Sequence, residues 1–326
     1  MLSRYSDVVE RSSYRDDGLS NGIELRVHRS QYMEIIGSLH AQRDWSDLVS
    51  PVVRYHGGLG DRFNFVSVTI PDCLPERLEI IAYANEYAFL YDDQLERLDL
   101  KQFKEGRDAI LQVFSEDALA PTTSTEGAAS RPEKDIQLQI FTRMKAIDLD
   151  RAVTTMVAWA DFVNLASRTR MKPFKTLDQY LPSRAIDAGE LFWFGMLTFA
   201  QGLTIPTFEV ETCMRLARPG YEAISLVNDV YSWPKERVEA DEAGQDYVFN
   251  AVWVVMGERR CDEEAALCIC REKIQTLIEQ FELNLEHSED LNLSIQSQQY
   301  LACVRQSYVG NLIWSIYCPR YQDASV

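Results

Sequence analysis

From Leu74 onward the chain is written almost wholly in helical period. Apolar residues recur three and four positions apart through LPERLEIIAYANEYAFLYDDQLE, DIQLQIFTRMKAIDLDRAVTTMVAWADFVNLA and GELFWFGMLTFAQGL, and again in the last aromatic-rich run. That spacing gathers them on one face of an α-helix, and such faces must be buried against one another, so the expected fold is all-α. Before Gly60 the chain mixes turn signals (Asp16-Asp17-Gly18, Gly57-Gly58) with short helical patterns, and RFNFVSVTI at Arg62–Ile70 alone also reads as a strand. The stretch APTTSTEGAASRPEKD, residues 120–135, breaks the periodicity with small polar residues, Gly and Pro and is expected to be a disordered or surface loop. A domain boundary there is the competing reading; the hydrophobic helices on either side read as parts of one core, so residues 1–326 are expected to form a single domain. No repeat of solenoid period is present.

A chain of 326 residues, 46% hydrophobic, can bury a substantial core. Its 50 acidic residues outnumber the 33 basic ones, and a formal charge of -17 argues against nucleic acid or an anionic membrane as the main partner. The seven cysteines form no C-x-x-C pair, as expected of reduced thiols in a cytoplasmic setting. His28, His40, His56 and His287 are scattered and make no zinc spacing. The first twenty residues lack the apolar run of a signal peptide, and the longest apolar stretch, Leu191–Ala200, is too short to span a bilayer, so no stable membrane insertion is expected.

Two motifs carry chemistry. In the first, DDQLE, the helical face through Leu78, Ile81, Ala82, Asn85 and Phe89 passes from apolar residues into the carboxylates of Asp92 and Glu96, with Asp93 rotated by about 100°. Magnesium takes hard oxygen ligands and commonly bridges one or two carboxylates to substrate phosphates, a need that Asp92 at a cavity would meet. The same pattern also describes an ordinary solvated helix end. The second motif, NDVYSWPKE, is more specific: Asn228, Ser232 and Glu236 fall at i, i+4 and i+8, an amide oxygen, a hydroxyl and a carboxylate on one face, roughly 6 Å apart per step. Lys235 beside them is a point charge suited to phosphate. Pro234 cannot donate to the carbonyl of Val230, so a kink or a loosened turn is expected there.

Together the motifs resemble those of class I terpene synthases. The stretches PDCLPERLEIIAYANEYAFLYDD, GELFWFGMLTFAQGLTIP, NDVYSWPKE and NLIWSIYCPRY further resemble the cyclase domain of fungal bifunctional terpene synthases of the fusicoccadiene synthase type, over about Tyr5 to Tyr321. The resemblance implies a helical bundle around a central cavity and three Mg2+ ions held between Asp92, with Asp93 and Glu96 in support, and Asn228, Ser232 and Glu236. Many relatives carry aspartate where Glu96 stands, which leaves its direct metal contact open. It implies that Arg184 senses diphosphate, that Asp187 and Ala188 are linker and effector at a helix break favoured by Gly189, and that Lys235, Arg320 and Tyr321 grip the diphosphate. Phe65 and Trp314 match positions that contour the pocket, and Phe89, one turn before Asp92, is placed by periodicity just below the metals. Trp159 and Trp193 fit packing and pocket roles equally.

The reaction so implied is Mg2+-dependent ionisation and cyclisation of a linear isoprenoid diphosphate, geranylgeranyl diphosphate first and geranylfarnesyl diphosphate as alternative, to a polycyclic diterpene or its larger homologue. It asks for no nucleophilic side chain and no histidine base. The chain stops just after Arg320-Tyr321, where bifunctional relatives continue, so a covalently linked prenyltransferase domain is an expected partner; a homo-oligomer is compatible. The rivals are a prenyl chain-elongating transferase, which would carry a second aspartate-rich motif at NDVYSWPKE, and a non-catalytic helical interaction protein.

Overall fold

Helix boundaries in this chain fall where polar or cyclic residues satisfy the backbone. The structure, a computed structural model, describes residues 4–53, 55–95, 132–166, 169 and 173–322. Helices α1 (Gln31–Leu48) and α2 (Phe65–Thr69) precede α3 (Pro75–Leu95) and α4 (Pro132–Ile147), both opened by a proline, whose missing N–H is harmless in a first turn. Helices α5 (Leu149–Ala166), α6 (Leu177–Asp187), α7 (Glu190–Gln201) and α8 (Thr207–Glu242) follow, then α9 (Ala251–Arg259), α10 (Glu263–Ser288), α11 (Ile295–Tyr317) and the short α12 (Pro319–Gln322). Side chains of Thr176, Asn250, Asp262 and Ser294 accept from backbone N–H groups in the first turns of α6, α9, α10 and α11, filling the orphan donors of each helix start.

Helix α1 lies along α3, α5 along α7, and the long α8 runs between α6, α10 and α11, while α2 rests on α11. Trp233 of α8 and Trp314 of α11 are fully buried in the core they share. Arg77 ties distant segments: it donates to the Phe199 carbonyl at 2.8 Å, lies over the Phe199 ring and pairs with Asp148 at 2.8 Å.

Two local expectations change, at residues 65–69 and at the end of the 120–135 loop. Residues 65–69 are the helix α2, not a strand, although Val66, Val68 and Thr69 are β-branched; the Glu34 carboxylate on α1 accepts from the N–H groups of Val66 and Ser67 at 2.7 and 2.6 Å and caps that helix start. The strands lie elsewhere: Ser6–Val8 (β1) pairs antiparallel with Arg26–His28 (β2), Asp7 opposite Val27. The expected loop at 120–135 ends earlier, since its last four residues already belong to α4, where Glu133 and Asp135 oppose the helix dipole in the first turn; positions 120–131 lie outside the described residues. Helix α8 is continuous through Pro219 and Pro234, and the kink or loosened turn expected at Pro234 does not divide it.

Candidate active site

Helices α2, α3, α5, α6, α7, α8, α11 and α12 enclose a cavity. Its wall is rich in aromatic rings, among them Phe65, Phe89 and Trp314 and also Trp159 and Trp193. Phe65 is the hub, with ring centroids 4.8 Å from Trp314, 5.4 Å from Phe89 and 5.6 Å from Trp193. At one end the lining turns polar, with Asp92, Arg184, Asp187, Asn228 and Tyr321.

That polar end is organised by the α6–α7 break. Gly189 adopts φ +89°, a left-handed conformation open to glycine at little cost, so α6 stops at Asp187 and α7 starts at Glu190. Asp187, Ala188 and Gly189 thereby line the cavity. Three residues earlier on α6, Arg184 donates through Nε to Asp229 at 2.8 Å, through Nη1 to Asp187 at 2.8 Å and through Nη2 to the Asn228 amide oxygen at 2.7 Å. Burial works against the guanidinium charge, but Asp229, Tyr180 and Asp187 outweigh it and hold the Arg184 pKa well above its ordinary value. Asn228 donates in turn to the Tyr321 hydroxyl at 2.5 Å.

The rest of the α8 motif lies behind this point. The Ser232 hydroxyl donates to Glu236 Oε1 at 2.6 Å, and Asn250 donates to Glu236 Oε2 at 3.0 Å. Burial, then the neighbouring Asp229, raises the Glu236 pKa above that of an ordinary carboxylate. Asn228, Ser232 and Glu236 thus present hard oxygens along one unbroken helix, a donor set that suits magnesium, and Asp92 supplies a carboxylate from α3 on the same cavity as Asn228. Among the described residues no three or more His, Cys, Asp or Glu side chains gather as a metal cluster, in keeping with donors divided between two walls and partly drawn from Asn and Ser.

The other expected residues are placed less directly. Asp93 is ion-paired with Arg320 at 2.5 Å, and Arg320 also donates to the His56 carbonyl at 3.0 Å and lies over the Phe89 ring. Lys235 pairs with Glu239 along α8 at 3.4 Å. Ser232, Lys235, Glu236, Asp93 and Arg320 are not among the residues lining the cavity, and Glu96 lies outside the described residues.

Sequence reasoning missed three members of the network. Asp229 is fully buried and accepts from Arg184, from the Tyr180 hydroxyl at 2.7 Å and from the Ala251 N–H at 2.9 Å, while Asn250 donates to its carbonyl at 2.9 Å. Spacing offered a partial signal: Tyr180 precedes Arg184 by one helical turn, and Asp229 is a lone charge between Val227 and Val230.

The same fold occurs in solved terpene synthases. Aristolochene synthase from Penicillium roqueforti superposes with a TM-score of 0.61, covering 78% of this chain and 83% of its own at 19% identity. A cucumene synthase variant superposes at 0.70, covering 92% and 99% at 15% identity. Residues 83–280 match the family described as terpene synthase family 2, C-terminal metal binding. The chain is 41% identical to fusicoccadiene synthase of Phomopsis amygdali over 98% of its length, 43% identical to a bifunctional type I diterpene synthase of Aspergillus flavipes over 100%, and 39% identical to a bifunctional sesterterpene synthase of Aspergillus aculeatus over 100%. It therefore belongs to the terpene synthase family, as a class I member related to the bifunctional fungal enzymes. It spans 45%, 42% and 46% of those three relatives' own lengths. Among the described residues no helix is long and apolar enough to cross a membrane.

Proposed function

We propose that this chain ionises and cyclises a linear isoprenoid diphosphate, most directly geranylgeranyl diphosphate, to a polycyclic diterpene with release of diphosphate. The observation that carries the reading is one cavity whose aromatic wall ends at Asp92, Arg184 and Asn228. In the reaction the allylic carbon–oxygen bond breaks with its electron pair leaving on diphosphate, the cation closes onto an internal alkene, and a proton is finally lost.

When bound, three Mg2+ ions held by Asp92, with Asp93 and Glu96 in support, and by Asn228, Ser232 and Glu236 would neutralise the charge that grows on the leaving group. Arg184, already fixed by Asp229 through Nε, turns Nη1 and Nη2 toward the cavity end, where a diphosphate oxygen can replace Asp187 or Asn228 as acceptor. Tyr321 can donate beside it, and Arg320 and Lys235 reach it by leaving Asp93 and Glu239. Asp187 and Ala188 transmit the movement of Arg184 to the α6–α7 break. Phe65, Phe89 and Trp314 keep water from the cation and offer it electron-rich faces.

A geranylfarnesyl substrate is the second reading, favoured by the 39% identity to a relative named as a sesterterpene synthase. The partial span of bifunctional relatives supports a covalently linked prenyltransferase domain as partner, and the seven free thiols suit a cytoplasmic setting. Incubation with farnesyl, geranylgeranyl and geranylfarnesyl diphosphates in Mg2+, with diphosphate release and hydrocarbons both measured, tests the reading. Release from at least one substrate, abolished by chelator and by Asn228→Ala, is expected; no release from any of them overturns it.

A further inference from the structure

Two buried carboxylates take no part in the proposed chemistry. Glu34 on α1 and Glu86 on α3 are both 0% exposed, and neither has an ion-pair partner among the described residues. A buried carboxylate without a cation is costly unless N–H donors saturate it, and an apolar side chain of similar volume would often serve packing as well. Both accept backbone N–H groups from the same stretch of chain, residues 58–67. Glu34 holds the first N–H groups of α2. Glu86 accepts from the Gly58 N–H at 2.9 Å and from Gln42 Nε2 at 2.6 Å.

Gly58 passes this restraint to the cavity wall. Its carbonyl accepts from the Phe65 N–H at 2.8 Å and from the Trp314 indole Nε1–H at 3.0 Å, so one peptide group fixes two rings of the aromatic cluster that lie 4.8 Å apart. The approach requires glycine: a Cβ on Gly57 would stand 2.1 Å from Glu86 Oε1. Glu86 itself does not line the cavity.

Resting on the cyclase reading above, we propose that Glu86 is a positioning residue for product specificity, acting through Gly57-Gly58 to set Trp314 and Phe65 where they shape the folding of the cation. Arg184 and Asn228 hydrogen-bond to none of Glu86, Gly57 and Gly58; the diphosphate-gripping residues meet this chain of contacts only at its margins, Tyr321 at the Trp314 ring and Arg320 at the His56 carbonyl. Loss of the Glu86 carboxylate therefore changes which hydrocarbon forms far more than how fast diphosphate leaves.

The test compares Glu86→Leu, which removes both acceptors, with Glu86→Gln, whose amide oxygen can still accept from Gly58 while a flipped Gln42 accepts its N–H. With geranylgeranyl diphosphate and Mg2+, Glu86→Leu is expected to lower the share of the main product at least about twofold, with diphosphate release kept within about threefold. Glu86→Gln restores the native product ratio. Trp314→Phe, which lacks the indole donor, shifts the products as well, and adding Glu86→Leu to it produces little further change, because both cut one chain of contacts. In protein labelled with nitrogen-15 at its six tryptophans, the indole signal missing from Trp314→Phe is expected to exchange with solvent about tenfold faster in Glu86→Leu. If Glu86→Leu does not fold, Gly57→Ala displaces the same loop and is read in the same way. An unchanged product ratio, an equal loss of product and diphosphate release, or additive double-variant effects would overturn the proposal. If the wild-type protein releases no diphosphate, the cyclase reading fails, and the indole exchange still decides whether Glu86 holds Trp314.

Discussion

The two walls of the cavity's polar end are built differently. On the α8 side, Asp229, its partner Arg184 and Ser232 are buried, and Asn228, Asp229, Ser232 and Glu236 each hold a hydrogen-bond partner supplied by the protein. On the α3 side, Asp92 and Asp93 stand half-buried on the last turn of a helix, and Asp93 is joined to Arg320 from the far end of the chain. The α8 wall is completed by folding itself, so its residues couple stability to function. The α3 wall supplies charge from a helix end, where a carboxylate can be altered without opening the core.

Asp229→Ala puts the largest strain on that contrast. Removing one partner of a buried ionic network leaves Arg184 and Tyr180 without their common acceptor and should cost about 3–5 kcal/mol of unfolding free energy in chemical denaturation. Asp92→Asn should instead keep stability within about 0.5 kcal/mol of the wild type, while diphosphate release falls at least about 100-fold, as when an electrostatic group at a reacting centre is removed. Equal destabilisation by the two would erase the distinction between the walls.

A smaller effect separates folding from ligand binding. Because the α8 side chains are satisfied by protein partners, chelation of divalent metal alone should leave thermal unfolding nearly unchanged. Mg2+ together with inorganic diphosphate should stabilise by about 2.7 kcal/mol at a ligand concentration one hundred times its Kd. A large loss of stability on chelation would mean that the α8 wall is not complete without metal.

Much of this was legible in local pattern. Helical period located α3 and the long helix bearing NDVYSWPKE, because spacing is a property of a few neighbouring residues; the break at Asp187 and Ala188 came from family resemblance, and Gly189 suited it. Asp92, Arg184, Asn228 and Tyr321, far apart in sequence, do line one cavity, but Arg184 and Tyr321 were reached only through family resemblance. What stayed hidden depends on long-range partners. Helix α2 reads as a strand until Glu34 reaches its N-terminus from 32 residues away. Asn250, which no sequence pattern singled out, caps α9 and also joins Asp229 to Glu236. The pairing of Asp93 with Arg320 spans 227 positions, beyond any periodic signal.

The smallest predicted effect moves the contrast from the polar end to the aromatic wall, where Glu34 caps the helix that carries Phe65. Burial raises its pKa from 4.5 to about 7, against the lowering influence of the N–H groups it accepts from. The folded protein therefore binds a proton at Glu34 more tightly than the unfolded chain does. This contribution to stability is fully present below pH 4.5 and is lost as pH rises through 7. Between pH 6 and 8 the wild type should lose about 1 kcal/mol relative to Glu34→Gln, which has no such titration. Parallel stability curves for the two proteins across that interval would show that Glu34 is already ionised at pH 6. The cap on α2 would then hold its charge throughout the neutral range, as firmly set as the α8 network, and the difference between the walls would be confined to Asp92 and Asp93.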